Sequence, residues 1–313
     1  SLSPLPLRER ARVRGKGGEQ SHRFSVSIFT LTPTLSCQGR GPAEPMKSPE
    51  LLALYDETMR RNASVAGCTR EQSAHVCRYT TATGSQRYIM WHDLNDVRAS
   101  AVVEEELTAV RGAAKVLMWK LYAHDVARDA LRAALLARGF EENDHSTLMA
   151  CSVDAALAAL PADDGDAKPP KSTLEVRELT TPASLDAYRE IWDDVWPDAP
   201  NARYVDDYRD RLVQRDPGIV FFAGFTVSDE PVSSGYMFHA PGAPYALLCG
   251  GTTKAAWRRQ RAYTSLLKAR VERAKSRGAS YLAVEASPES QPILARLGFA
   301  PLSTLAFYEK HID

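Results

Sequence analysis

The chain has few cysteines, no long apolar run and no excess of either charge sign, and each shortage removes a class of function. Cys37, Cys68, Cys77, Cys151 and Cys249 are scattered, odd in number and free of any Cys-x-x-Cys pair. Neither a zinc knuckle nor a disulfide framework is indicated, no metal site is expected, and a reducing, cytoplasmic setting fits best. Cys249 lies in an apolar run and reads as a small buried hydrophobe rather than a nucleophile. No apolar stretch approaches the roughly 18 residues that a membrane span needs. Lys plus Arg number 39 and Asp plus Glu number 39, so the formal net charge is zero. That argues against a general nucleic-acid or membrane-surface binder, and neither is expected as a partner. What remains is ordinary globular material: 313 residues, 44% apolar and 25% charged. This is enough for a packed core and about two domains.

Residues 1–45 stand apart. Pro, Gly, Ser and Arg dominate, and the basic start lacks the apolar core and cleavage site of a secretory signal. Its Pro-rich fragments resemble translated bacterial intergenic repeats. The segment is expected to be disordered or mis-assigned, with folded sequence beginning near Met46. A second composition shift, Pro-, Asp- and Lys-rich, marks residues 161–173 as a linker. The expected division is therefore 46–160 and 174–313.

Apolar periodicity predicts helices at 51–61, 102–110, 129–138, 183–196, 204–214, 263–277 and 291–297. Gly139 and Gly278 read as C-terminal stops. Strands are predicted at 76–80, 87–91, 116–122, 146–153, 174–179, 219–227, 232–239, 245–252, 281–284 and 302–308. The two halves echo each other. Arg138-Gly-Phe140 followed by His-Ser-Thr-Leu-Met-Ala150 matches Leu297-Gly-Phe299 followed by Leu-Ser-Thr-Leu-Ala-Phe307. Each Gly-Phe follows a strand and a helix, which points to an internal duplication.

The sharpest chemical signal is 250–271. The apolar run 245–249 enters a basic turn holding Arg258, Arg259 and Arg261, and a helix follows. A strand that turns into a helix presents free backbone N–H groups, a ready site for phosphate oxygens. In order and spacing, Arg258-Arg-Gln-Arg-Ala-Tyr263 and the later Leu297-Gly-Phe299 resemble the signature of the GNAT superfamily of acetyl-CoA-dependent N-acetyltransferases. The match covers roughly 174–313. The first half looks like a degenerate copy that keeps the Gly-Phe but has no phosphate turn.

The resemblance implies an α/β (α+β) protein with two GNAT-like domains, each a mixed, largely antiparallel sheet flanked by helices. It also implies splayed central strands with acetyl-CoA, the co-substrate, between them. By position, Gly251, Thr252 and Thr253 would contact pantetheine. Arg258, Arg259, Gln260, Arg261, Ala262, Tyr263 and Thr264 would surround the pyrophosphate, and Ser287 would join the cofactor residues. Arg261 and Tyr263 stand where the family usually has glycine, so Arg261 is expected to strain the turn or cover the phosphates. The family's usual tyrosine acid is replaced by Leu294. Tyr263, Tyr308, Ser287 and Ser290 are the available substitutes, each with a plainer reading as a core or cap residue.

Glu285, at the end of the 281–284 strand, is the candidate base, against a plain reading as a strand-end acid or ion-pair partner. His124-Asp125 reads as a structural His beside a helix-capping Asp, and His239 as a strand-end residue with a weaker claim on a substrate. Trp119, Trp192, Trp196 and Trp257 read as packing, and Glu104-Glu-Glu106 as a solvated helix face. The expected function is acetyl transfer to a small-molecule or peptide amine by direct attack, with a homodimer compatible. The alternatives are a non-catalytic acyl-CoA-binding or regulatory protein and a scaffold that has lost CoA.

Overall fold

The computed structural model describes residues 46–312 apart from 64–67, 82–83, 161–173, 200, 214–215 and 217. The expected extension 1–45 and linker 161–173 lie outside the described residues. The first half runs α1 (Ser48–Tyr55), a π-helical turn (Asp56–Arg61), β1 (Cys68–Gln72), β2 (Val76–Thr81), β3 (Gln86–His92), α2 (Asp96–Val110), β4 (Val116–Tyr122), α3 (Arg128–Ala137), β5 (Glu141–Ser152) and α4 (Val153–Ala159). The second runs β6 (Glu175–Leu179), α5 (Leu185–Val195), α6 (Asn201–Val213), β7 (Ile219–Phe225), β8 (Pro231–Phe238), β9 (Tyr245–Thr253), a 3-10 turn (Ala255–Trp257), α7 (Ala262–Ser276), β10 (Tyr281–Ala286), α8 (Gln291–Arg296) and β11 (Ala300–His311).

The sheet is mixed and largely antiparallel, as the resemblance implies. The two expected sheets are joined into one of 11 strands, in the order β1-β2-β3-β4-β11-β5-β10-β9-β8-β7-β6. Its centre is interlocked. β4, α3 and β5 form a parallel crossover that skips one place, and β11 of the other half fills it. β10, α8 and β11 form a second such crossover, and β5 fills its gap.

The echoed Ser-Thr-Leu segments meet in antiparallel register at this point. Thr147 faces Thr304, Ser146 faces Leu305 and Leu148 faces Ser303. That is the register of a local two-fold axis through the Thr147–Thr304 pair, so the echo in the sequence is a symmetry in space. The Gly-Phe pairs repeat as well. Gly139 and Gly298 take positive φ, 76° and 85°, just past α3 and α8. Phe140 N–H then bonds back to Leu135 O at 3.2 Å and Phe299 N–H to Leu294 O at 3.1 Å. Glycine is needed there because an L side chain resists that conformation.

Helices cover both faces. α1, α5 and α6 pack on one face over a core that spans the two halves, including Leu51, Tyr55, Leu148, Tyr188, Trp192, Ala283 and Phe307. On the other face, α4, α7 and α8 bury one cluster and α2 and α3 a second. β1 was not predicted: Cys-Thr-Arg-Glu-Gln is an exposed edge strand with no apolar alternation. α2 starts ahead of its apolar stripe because Asn95 caps it, accepting from Arg98 N–H at 3.1 Å. Glu106 corrects the solvated-face reading. It is 3% exposed and ion-paired to Arg78, whereas Glu104 faces outward toward Arg138.

Candidate active site

The site begins where two parallel strands part. β9 and β10 pair over Tyr245–Tyr281, Ala246–Leu282 and Leu247–Ala283, and no further. β9 runs on to Thr253 and β10 to Ala286 without each other, leaving a cleft between them. Beside the cleft, β9 carries a bulge. Ser234 pairs with Thr252 and Tyr236 with Cys249, so Gly235 alone opposes Gly250 and Gly251. Gly250 has φ 58°, and a Cβ there would lie 3.0 Å from Tyr188 Oη. Gly251 is exposed on the cleft; Thr252 and Thr253 are buried in the ladder.

The turn into α7 supplies donors. No backbone carbonyl accepts the N–H groups of Arg259, Gln260, Arg261, Ala262, Tyr263 or Thr264 among the described hydrogen bonds; Ser265 is the first to bond back, to Arg261 O at 2.9 Å. Arg259 and Arg261 both take left-handed backbone, with φ 60° and 66°, and Arg261 is the residue just before the helix. The expected strain at Arg261 is therefore present. Arg258 is exposed and donates from Nε to Thr253 O at 3.2 Å, which ties the turn to the end of β9. Gln260 closes the turn from below through Ala256 O at 2.6 Å. Arg261→Gly is expected to stabilise the protein by about 0.5–1 kcal/mol, since a left-handed L-residue costs roughly 1–2 kcal/mol and glycine's extra chain entropy returns part of it. A rise in urea midpoint at constant slope checks this; a fall would show that the Arg261 side chain compensates its backbone.

Of the four substitute acids, Tyr263 borders the cleft at Gly251: a Cβ there would lie 3.3 Å from its ring. Burial raises its hydroxyl above the ordinary value, so it holds its proton at neutral pH. Tyr308 belongs to the core under α2 and α3 and donates to Glu142 at 2.8 Å. Ser287 and Ser290 close a local turn, with Ser290 Oγ donating to Ser287 O at 3.1 Å. Leu294 is fully buried in the core.

Glu285 lies in the parted section of β10, on the face away from α7. Lys120 Nζ donates to its Oε1, as do Tyr55 Oη at 3.3 Å and Tyr122 Oη at 3.4 Å. All three donors come from the first half. Lys120 is 4% exposed, and burial lowers its ammonium pKa while Glu285 opposes the drop. Burial likewise drives both tyrosines well up, so they stay neutral donors. Cys249 sits nearby as a neutral thiol, pushed up to about 12 by burial. The sequence reading missed these partners, although a lysine inside Val116-Leu-Met-Trp-Lys-Leu-Tyr122 is itself a signal, since lysine is rarely buried unpaired.

Behind this cluster lies a second one. Arg60 is 1% exposed and bonds Asp56 at 2.8 Å, Asp125 at 2.7 Å and Met90 O at 3.1 Å. Its guanidinium also covers the Tyr122 ring at 4.0 Å. Asp125 accepts from Tyr122 N–H and does not cap α3, whose preceding residue is Ala127. His124 turns away from it, to Asp56 at 2.8 Å and Ser303 at 2.7 Å. His239 is buried, with Nε2 2.9 Å from Ala243 O. Among the described residues no cluster of His, Cys, Asp or Glu is arranged for a metal ion, and no helix is long and apolar enough to cross a membrane.

No family profile matches the chain, and no curated protein matches its sequence. Solved structures do match. A tandem GNAT protein from the clavulanic acid biosynthesis pathway superposes with TM-score 0.54 at 14% identity, covering 79% of this chain and 84% of its own. A GCN5-related N-acetyltransferase from Kribbella flavida gives TM-score 0.52 at 13% identity, covering 86% of this chain and 96% of its own. This chain has a tandem GNAT fold. A conserved protein of unknown function from Staphylococcus epidermidis is also similar, with TM-score 0.56 at 8% identity over 79% of this chain and 95% of its own. At these identities the likeness concerns the fold. Within the tandem GNAT fold, the parted β9 and β10, the bulge and the open turn belong to the second half. The first half also parts β3 from β4 beyond Ile89 and Trp119, but Asn95 caps the helix that follows.

Proposed function

We propose that the chain transfers an acetyl group from acetyl-CoA to an amine, with the cofactor held in the β9–β10 cleft. The observation that carries this reading is the run of N–H groups without acceptors, 259–264, at the mouth of a cleft between parting strands. Such a run suits a pyrophosphate, reinforced by the α7 dipole and the flanking arginines. Gly251, exposed and without a side chain, lets pantetheine lie against the strand. When bound, acetyl-CoA supplies an activated thioester. Tyr263 retains its proton and borders the cleft at Gly251, so it would be the donor to a departing thiolate. Glu285 Oε2 is left for a further donor once Lys120, Tyr55 and Tyr122 have taken Oε1. A protonated acceptor amine is the natural partner, held and then relieved of a proton through that carboxylate. In this reading both halves build the acceptor side.

The alternative, a non-catalytic acyl-CoA-binding protein, is favoured by Leu294 at the family's acid position and by the ion pair on Glu285. Calorimetric titration with acetyl-CoA tests the shared part; no heat and no thermal shift would remove both readings. Thiol release over an amine panel then separates them. For the enzyme, Tyr263→Phe is expected to lower kcat about 10²-fold with little change in acetyl-CoA affinity. Glu285→Gln should lower kcat/KM for the amine and leave acetyl-CoA affinity in place. Unchanged turnover in both variants would leave these residues out of the chemistry.

A further inference from the structure

Arg270 is the one feature of the cleft that an acetyl group does not explain. It lies on the apolar stripe of α7 with Leu266, Leu267, Val271 and Ala274, and it is 2% exposed. Its guanidinium donates from Nε to Leu266 O at 3.3 Å and from Nη1 to Cys249 O at 3.3 Å. Among the described residues no carboxylate is paired with it. The groups that bear on its charge are Tyr263, Tyr188 and Cys249, and burial keeps all three neutral while pulling the guanidinium itself down. Removing a cation from water without an anion is unfavourable by several kcal/mol, so a resting charge at this depth calls for a reason.

The surrounding backbone is shaped to admit it. A Cβ at Gly235 would lie 3.0 Å from Nη1 and one at Gly251 3.1 Å from Nη2. Both strands are thus reduced to glycine where the guanidinium meets the bulge. Two further buried hydroxyls, Tyr188 Oη and Ser234 Oγ, stand beside the bulge within reach of each other. Gly251 is exposed on the cleft, so a molecule lying along it is separated from Nη2 only by a residue with no side chain.

We propose that Arg270, with Tyr188 and Ser234, is a receiving site for a carboxylate on a ligand of the β9–β10 cleft. The inference rests on the acyl-CoA reading and narrows it, because a neutral acetyl group leaves the buried cation unpaired. An oxyanion that exists only during reaction leaves it unpaired at rest as well. A standing carboxylate completes an ion pair in the bound state, with charge-assisted bonds from Nη2 and the hydroxyls. It has two chemical sources, the acyl group of a dicarboxylic acyl-CoA or the carboxylate of an amino-acid acceptor.

Calorimetry on the full chain separates them. One arm compares succinyl-CoA with butyryl-CoA, of equal chain length but uncharged. The other compares each amino acid with its carboxamide in the presence of CoA. The charged member of one arm is expected to bind about tenfold tighter or more. Arg270→Met should abolish that preference and leave butyryl-CoA binding in place, and Arg270→Lys should retain part of it. Equal affinities in both arms of the wild-type protein overturn the proposal without recourse to any variant, as does a preference that survives Arg270→Met. Failure of every acyl-CoA to bind, charged or not, overturns the acyl-CoA reading and this inference with it; binding without preference overturns the inference alone.

Discussion

Glu285→Ala is expected to lower stability by about 3 kcal/mol, much more than a strand-end carboxylate on a surface would cost. The reason is Lys120. It is buried to 4% exposure, and its ammonium has Glu285 as its anion. Removing the carboxylate leaves a charge in low dielectric that must either stay unpaired or give up its proton. Lys120→Met should cost less, because Glu285 keeps the hydroxyls of Tyr55 and Tyr122 and is 21% exposed. The pair Lys120→Met with Glu285→Ala should cost less than Glu285→Ala alone, since it leaves no buried ammonium without its anion. Denaturant unfolding of the four proteins closes the cycle. Additive losses would mean that the two groups act independently, and the cross-half pairing would then carry no energy.

The second large effect concerns Arg60. Arg60→Met is expected to lower stability by about 3 kcal/mol or more, a fall of several degrees in Tm for a chain of this size. It withdraws the cation from Asp125, which is 6% exposed, and uncovers the Tyr122 ring. Burial alone would raise the Asp125 pKa. His92 at 3.4 Å, Arg60 and the Tyr122 N–H outweigh it and hold the carboxyl at about 2. Because the folded value lies below the unfolded one, Asp125 contributes stability at any pH above the ordinary carboxylate range. That contribution, about 2 kcal/mol, is lost as pH falls from near 4 toward 2. The wild type should therefore show a steep acid limb in this window, and Arg60→Met a flatter one. Parallel limbs would place the source of acid lability elsewhere.

Much of the scaffold was legible because its signals are local. Gly139 and Gly278 end helices through backbone geometry that only the neighbouring residues decide. The buried strands read as apolar runs, and the β9–α7 turn was recognisable from its residue order. What the sequence left hidden is long-range. The contacts of Glu285 with Lys120, Tyr55 and Tyr122 join residues more than a hundred positions apart, and periodicity carries no information about them. Similarly, β5 and β11 were each foreseen as strands, yet not as neighbours. Two charged residues inside apolar patterns, Lys120 in β4 and Arg270 in α7, were visible and unexplained until the fold supplied their surroundings. Glu106 shows the opposite failure, a residue in an acidic run whose partner on β2 draws it inward.

The interlocked strands set the order in which this chain can fold. β4 ends at Tyr122, but its neighbour on the far side from β3 begins only at Ala300, so that pairing must wait until β11 has left the ribosome. Until then the first half has two open strand edges, β4 and β5, that neither local turn nor helix closes. Contacts of such long sequence separation are slow to form and expose apolar surface meanwhile. Once β11 enters between them, however, neither β5 nor β11 can leave the sheet without breaking ladders to the other half.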